Sequence, residues 1–167
     1  RLAAIPGVTA AALAGHAPMG GDRSRSTVVH EDAPLADAGG EAPLRWFRYV
    51  GPGYFQTIGT RIVAGRDFTW ADLEARRPVA VVSENLAREF WREPQAALGR
   101  RIRDGDGSDG SPWREVIGVA GDVHEEGVHR PAPAVVYWPS FMEKFWGQPI
   151  AVRRAATWPG PSPLPDA

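Results

Sequence analysis

Val79-Ala80-Val81-Val82-Ser83-Glu84-Asn85-Leu86-Ala87-Arg88-Glu89-Phe90-Trp91 decides the fold class. Its first four residues are a continuous apolar, mostly β-branched run, the pattern of a strand covered on both faces. Ser83 then places a hydroxyl where a helix needs an N-cap, and Leu86, Ala87, Phe90 and Trp91 fall on one face of the helix that follows. Glu84 and Arg88, spaced i,i+4, lie on the outside. The stretch predicts a buried strand running into an amphipathic helix, Glu84 to Arg92, whose Phe90 and Trp91 cover the sheet.

Outward from this unit the chain alternates short strands and single helical turns. Leu44 to Val50 reads as an aromatic strand, broken by Gly51-Pro52-Gly53 before a short helix Tyr54 to Ile58 that Gly59 caps. Arg61 to Ala64 is a second strand, and Thr69 with Asp72 three residues later makes a capping box for the turn Trp70 to Glu74. Leu98 to Arg103 and Trp113 to Val119 form a hairpin around the Gly- and Asp-rich segment 104 to 112. Val8 to Ala14, Ser26 to His30, Val135 to Trp138 and Ile150 to Arg153 are further strands. Arg1 to Val8 reads as the last turn of a helix closed by Pro6 and Gly7, and the four prolines between 159 and 165 make an extended, mobile tail.

The 167 residues carry 43% hydrophobic side chains, 7 Trp and 6 Phe, enough for a sizeable core in one domain or two small subdomains. Gly and Pro make up about a fifth of the chain, so the fold is rich in turns. Lys and Arg, 19 in all, against 20 Asp and Glu leave a formal charge of -1, which argues against a nucleic-acid partner. The absence of Cys excludes thiol catalysis, disulfides and thiolate metal sites. No apolar run approaches the ~20 residues of a membrane helix, and a first residue other than Met suggests a piece of a longer protein.

Four constellations bear on chemistry. His124-Glu125-Glu126-Gly127-Val128-His129 resembles the zinc-binding HExxH pattern, but histidines five apart stand about 500° around a helix and cannot share a face. Asp104, Asp106 and Ser108 occupy positions 1, 3 and 5 of a calcium loop with Glu115 at position 12, yet position 6 is Asp109 instead of Gly and the flanks are strands. Ser83 stands at a strand-to-helix corner without the glycines of a nucleophile elbow, so capping is the better role. Of the tryptophans, Trp46, Trp70, Trp91, Trp113 and Trp138 read as core, whereas Trp146 and Trp158 are placed to meet a partner. No catalytic, cofactor or metal residue is assigned. The alternative function is a free-standing metal-dependent enzyme or binding module using His124, His129 and the loop Asp104 to Asp109.

Seven segments in order resemble the periplasmic core domain of MacB-type ABC transporter permeases, most closely the branch with duplicated domains. They are Ala4-Ile5-Pro6-Gly7-Val8, Val50 to Gly59 (VGPGYFQTIG), Gly65 to Thr69 (GRDFT), Val81 to Trp91 (VVSENLAREFW), Leu98 to Ile102 (LGRRI), Val116 to Val123 (VIGVAGDV) and Val136-Tyr137-Trp138-Pro139. The resemblance implies an α+β module of mixed sheets with short helices, lying outside the cell inner membrane between two membrane helices of the same chain. It implies a porter-like part from residues 1–43 and 113–156, an inserted part at 44–112, and the Pro-rich tail at 157–167. It also implies a non-catalytic role without cofactors. The domain would transmit conformational change and contact an adaptor protein or a second periplasmic domain, with ATP hydrolysis left to a separate ABC subunit or domain.

Overall fold

The computed structural model describes residues 8–21, 24–32, 44–105, 110–140 and 150–155. In chain order it contains β1 (Val8–Ala14), β2 (Arg25–His30), β3 (Leu44–Val50), α1 (Tyr54–Ile58), β4 (Ile62–Gly65), α2 (Trp70–Glu74), β5 (Val79–Ser83) and α3 (Glu84–Trp91). A 3-10 turn (Pro94–Ala97), β6 (Arg101–Asp104), β7 (Arg114–Ala120), β8 (Val135–Pro139) and β9 (Ile150–Ala155) follow. The fold is α+β, a mixed sheet with few short helices, as the sequence predicts. Of the expected helix end at Arg1 to Val8, residues 1–7 lie outside the described residues and Val8 opens β1. The tail at 157–167, Trp146 and Trp158 also lie outside the described residues.

Among the described residues the strands form one sheet in the order β2-β6-β7-β5-β8-β3-β1-β9, with β4 on β7. β2 also pairs with β3, so the path from β2 through β6, β7, β5 and β8 to β3 closes on itself. Closure follows from β3 sharing one edge between two partners: Leu44 to Trp46 meet β2, and Val50 meets Ala14 of β1. The β3–β8 and β5–β7 pairs are parallel and the others antiparallel. Strands from 1–43, 44–112 and 113–156 interleave in this order.

Every residue of β5 and β8 is buried, which explains their unbroken apolar runs. Alternation sends Val79, Val81, Val135 and Tyr137 to one cluster, where Trp46, Val50, Tyr54, Phe55 and Phe68 pack. It sends Ala80, Val82, Val136 and Trp138 to the other, beneath Leu86 and Ala87 of α3 and with Ile102 and Val116. Each fully buried Val or Leu contributes about 1.5–3 kcal/mol, so these two central strands anchor both faces.

Local signals predict the helix ends well. Gly59 closes α1 in the left-handed conformation, with φ 80°. Thr69 and Asp72 form the reciprocal capping box of α2. Ser83 Oγ accepts the Leu86 N–H at the start of α3. At the β4–β7 crossing the backbones approach so closely that a Cβ on Gly118 would lie 2.1 Å from the Arg66 carbonyl oxygen. Gly65, at φ +70°, faces the Ile117 carbonyl in the same way.

Three expectations need correction. β6 begins at Arg101 rather than Leu98, because Pro94 starts a 3-10 turn in which the Leu98 N–H bonds Gln95 and Gly99 turns the chain at φ 77°. Phe90 and Trp91 do pack against the cluster beneath α3, but they are half-buried at its margin, whereas Leu86 and Ala87 are fully enclosed. Phe90 stacks on His30 at 4.5 Å, and the Trp91 Nε1–H donates to Asp32 Oδ2 at 3.0 Å. Trp70 is 60% exposed on α2, and Trp113 lies half-buried under the Arg103 guanidinium, 4.6 Å from its ring.

Candidate functional site

The alternation of β3 turns Trp46, Arg48 and Val50 to the interior and leaves Phe47 and Tyr49 half-buried on the other side. Arg48 is therefore a cation in the core, stacked 5.1 Å over the Trp46 ring. Its partner is Glu125, from the connection between β7 and β8, with Nη2 donating to Oε2 at 3.0 Å. The two side chains are only 2% and 1% exposed. Such a pair gains strong attraction in a poorly solvated interior but loses the hydration of both ions, so its net contribution to stability is small.

Further polar atoms surround it. Glu125 Oε1 and the hydroxyls of Tyr54 and Tyr137 are buried without a protein hydrogen-bond partner. Burial pushes both phenols above their ordinary pKa, and the nearby Glu125 carboxylate adds to the shift. They are neutral at any physiological pH. Beside this cluster opens a cleft of about 380 Å³ lined by Met19, Gly21, Trp46, Glu125, Glu126, Gly127 and Arg130.

Gly121 to Ala134, the connection that carries Glu125, has no regular secondary structure. Asp122 Oδ1 accepts the Asn85 N–H at 2.8 Å, and Asn85 Nδ2 donates to the Ala132 carbonyl at 2.8 Å. Partial burial raises the Asp122 pKa, against the lowering effect of the Asn85 bond. His124 Nδ1 lies 2.8 Å from the Arg130 carbonyl, and Arg130 pairs with Glu126. Gly127 turns the chain at φ 100°, so the segment is not a helix. His124 and His129 are both exposed. Among the described residues no group of three His, Cys, Asp or Glu stands in a metal-holding arrangement.

Of the calcium-loop candidates, Asp104 ends β6 and accepts a hydrogen bond from Ser26 Oγ on β2, while Glu115 lies exposed on β7 opposite Arg101. Asp106, Ser108 and Asp109 lie outside the described residues. Ser83 is fully buried, with its Oγ accepting from Leu86 N and from Val135 N at 2.9 Å, the position of a cap and strand clasp.

A second cleft, about 510 Å³, is lined by Arg66, Arg77, Arg101, Trp113 and Glu115 among others. Its arginines are already answered by carboxylates. Arg66 makes a two-point contact with Asp72 at 2.6 and 3.1 Å, Arg77 approaches the same carboxylate at 3.6 Å, and Arg101 pairs with Glu31 at 2.7 Å. The hydrogen bonds from Arg66, then those from Thr69, hold the Asp72 carboxyl far below the usual carboxylate range.

Arg48 and Glu125 did not stand out from the sequence. The available signal was an arginine at an inward position of Leu44 to Val50, between Trp46 and Val50. Glu125 stands in the sequence only as part of a histidine motif.

β1 and β9 pair so that Val8 lies opposite Ala155, which brings the start of the first strand and the end of the last together. β1 runs from there to Ala14 beside Val50, and the cleft at Trp46 lies beyond, at the opposite end of the sheet.

These features define an α+β domain in which the start of β1 and the end of β9 lie side by side and an ion pair is buried in the interior. Residues 3–156 match the family model of the MacB-like periplasmic core domain, and the chain belongs to that family. It is thus the extracytoplasmic domain of a MacB-like ABC transporter permease. The fold is similar to the periplasmic region of MacB from Actinobacillus actinomycetemcomitans, at 16% identity and a TM-score of 0.59, over 95% of this chain and 64% of that one. It is also similar to the extracellular domain of the noncanonic ABC-type transporter YknZ from Gram-positive bacteria, at 17% identity and a TM-score of 0.58, over 93% of this chain and 70% of that one. The chain thus spans about two thirds of the length of these structures. No curated protein matches it. No helix among the described residues is long and apolar enough to cross a membrane.

Proposed function

We propose that this domain is non-catalytic and transmits conformational change between the membrane helices of its own permease chain and a partner outside the inner membrane. The partner is an adaptor protein or a second periplasmic domain, and ATP hydrolysis takes place in a separate cytoplasmic subunit or domain. The observation that carries the reading is the Val8–Ala155 pair, since a domain inserted between neighbouring membrane helices needs its two ends side by side. The closed path of strands supports it further, because a sheet hydrogen-bonded into a ring moves as a rigid body. Division into a porter-like part (1–43 and 113–156) and an inserted part (44–112) belongs to the same proposal, as a division of contacts between elements of one sheet.

Crosslinking in the intact permease tests it. These 167 residues contain no cysteine, so in a permease whose other cysteines are replaced by serine, a pair introduced between this domain and its neighbour forms a defined bond. Oxidation should slow transport-coupled ATPase turnover, and reduction should restore it, because coupling requires two states that the bond prevents from interchanging. Unchanged turnover under a complete crosslink overturns the mechanical role.

A further inference from the structure

We propose that Gly121 to Ala134 is a strap that lifts from the cleft over Trp46 while the sheet beneath stays folded. Connections this long without secondary structure are uncommon in a compact domain, and when ordered they are commonly functional. The ends of the strap are bonded to the sheet, the Gly121 N–H to the Arg61 carbonyl and the Ala134 carbonyl to the Trp46 N–H, and between them it is tied down by Asp122 to the Asn85 amide, Asn85 to the Ala132 carbonyl and the Glu125–Arg48 ion pair. It is undercut by the cleft, to which it contributes Glu125, Glu126, Gly127 and Arg130. Val128 stands exposed on it and adds no core contact.

The interior beneath it favours opening. Glu125 Oε1, Tyr54 OH and Tyr137 OH have only water left as a partner, so packing there is either strained or wet. Either condition lowers the cost of separating the strap from the sheet. The Glu125–Arg48 pair acts in the same direction, because lifting the strap returns both ions to water and recovers hydration that offsets the lost attraction. β5 and β8, by contrast, are buried on both faces and lose everything on opening. Segments with few apolar contacts open below the free energy of global unfolding. The strap lies at the end of the sheet remote from the Val8–Ala155 pair. It stands independently of the permease reading.

Amide hydrogen exchange of this chain tests the proposal. The reporter is the Asn85 amide, which α3 presents to Asp122 Oδ1 of the strap. It should exchange about 100-fold faster than the amides of Val82 and Tyr137, and low denaturant should leave its rate unchanged. Replacing the ion pair by apolar side chains, Arg48→Met with Glu125→Leu, should slow the reporter about tenfold while the Val82 and Tyr137 amides keep their order. A reporter that exchanges only with the same free energy and denaturant slope as Val82 overturns the independent strap. If the double variant does not fold, Tyr137→Phe, which removes one unpartnered hydroxyl, should slow the same amide. No slowing in any folded variant also overturns the proposal.

Discussion

Asp72 joins a helix cap to two arginines through one short side chain. Its carboxylate accepts the Thr69 amide at 2.9 Å, completing the capping box, and the Arg66 guanidinium at 2.6 Å. Because the folded carboxyl titrates far below its ordinary value, an unfolded chain takes up a proton near pH ~3.9 that the folded one refuses. The stabilisation is therefore complete above about pH 4 and is lost progressively as the pH falls below it. Asp72→Asn should cost about 1–2 kcal/mol at pH 7, allowing for the screening of a partly exposed Arg66. The difference between variant and parent should shrink by pH 3. Urea unfolding at the two pH values checks this, and an equal difference at both would remove Asp72 from the acid response.

At the scale of elements, α3 depends on Ser83 in two ways. Its hydroxyl caps the helix through Leu86 N and also accepts the Val135 amide, tying the end of β5 to the start of β8. An ordinary cap is worth about 1 kcal/mol, and a buried amide left without its acceptor costs about 1–3 kcal/mol more. Ser83→Ala should therefore cost about 2–4 kcal/mol, read as a fall in the denaturation midpoint with unchanged slope. A loss of only about 1 kcal/mol would mean that the Val135 bond contributes nothing. This clasp shows how much of an element was legible in the sequence. The cap needs only a serine before an apolar-periodic run, whereas the strand it also serves lies 52 residues away. The same limit explains Phe90 and Trp91: periodicity places them on the inner face of α3, but the position of the sheet edge decides how far the last turn is covered.

At the scale of the whole molecule, both hydrophobic clusters draw on β5 and β8 and on residues inside and outside 44–112. Removing either face exposes the central strands, so the domain should unfold in one transition with equal calorimetric and van't Hoff enthalpies. Two separated transitions would instead make 44–112 a unit that folds by itself. The local opening of the strap is compatible with a single transition, because it leaves the central strands paired.

The sequence by itself determined the type and order of the elements, the helix caps, the doubly covered strand at Val79 to Val82 and the family pattern. These depend on the periodicity and chemistry of residues a few positions apart. Tertiary structure alone decided the closure of the sheet, through a β2 strand that pairs with both β6 and β3. It alone decided the meeting of Arg48 and Glu125, which stand 77 residues apart. An arginine enters the core only when the fold brings it a carboxylate. Whether it does depends on the summed burial of every strand between them, which no local pattern records.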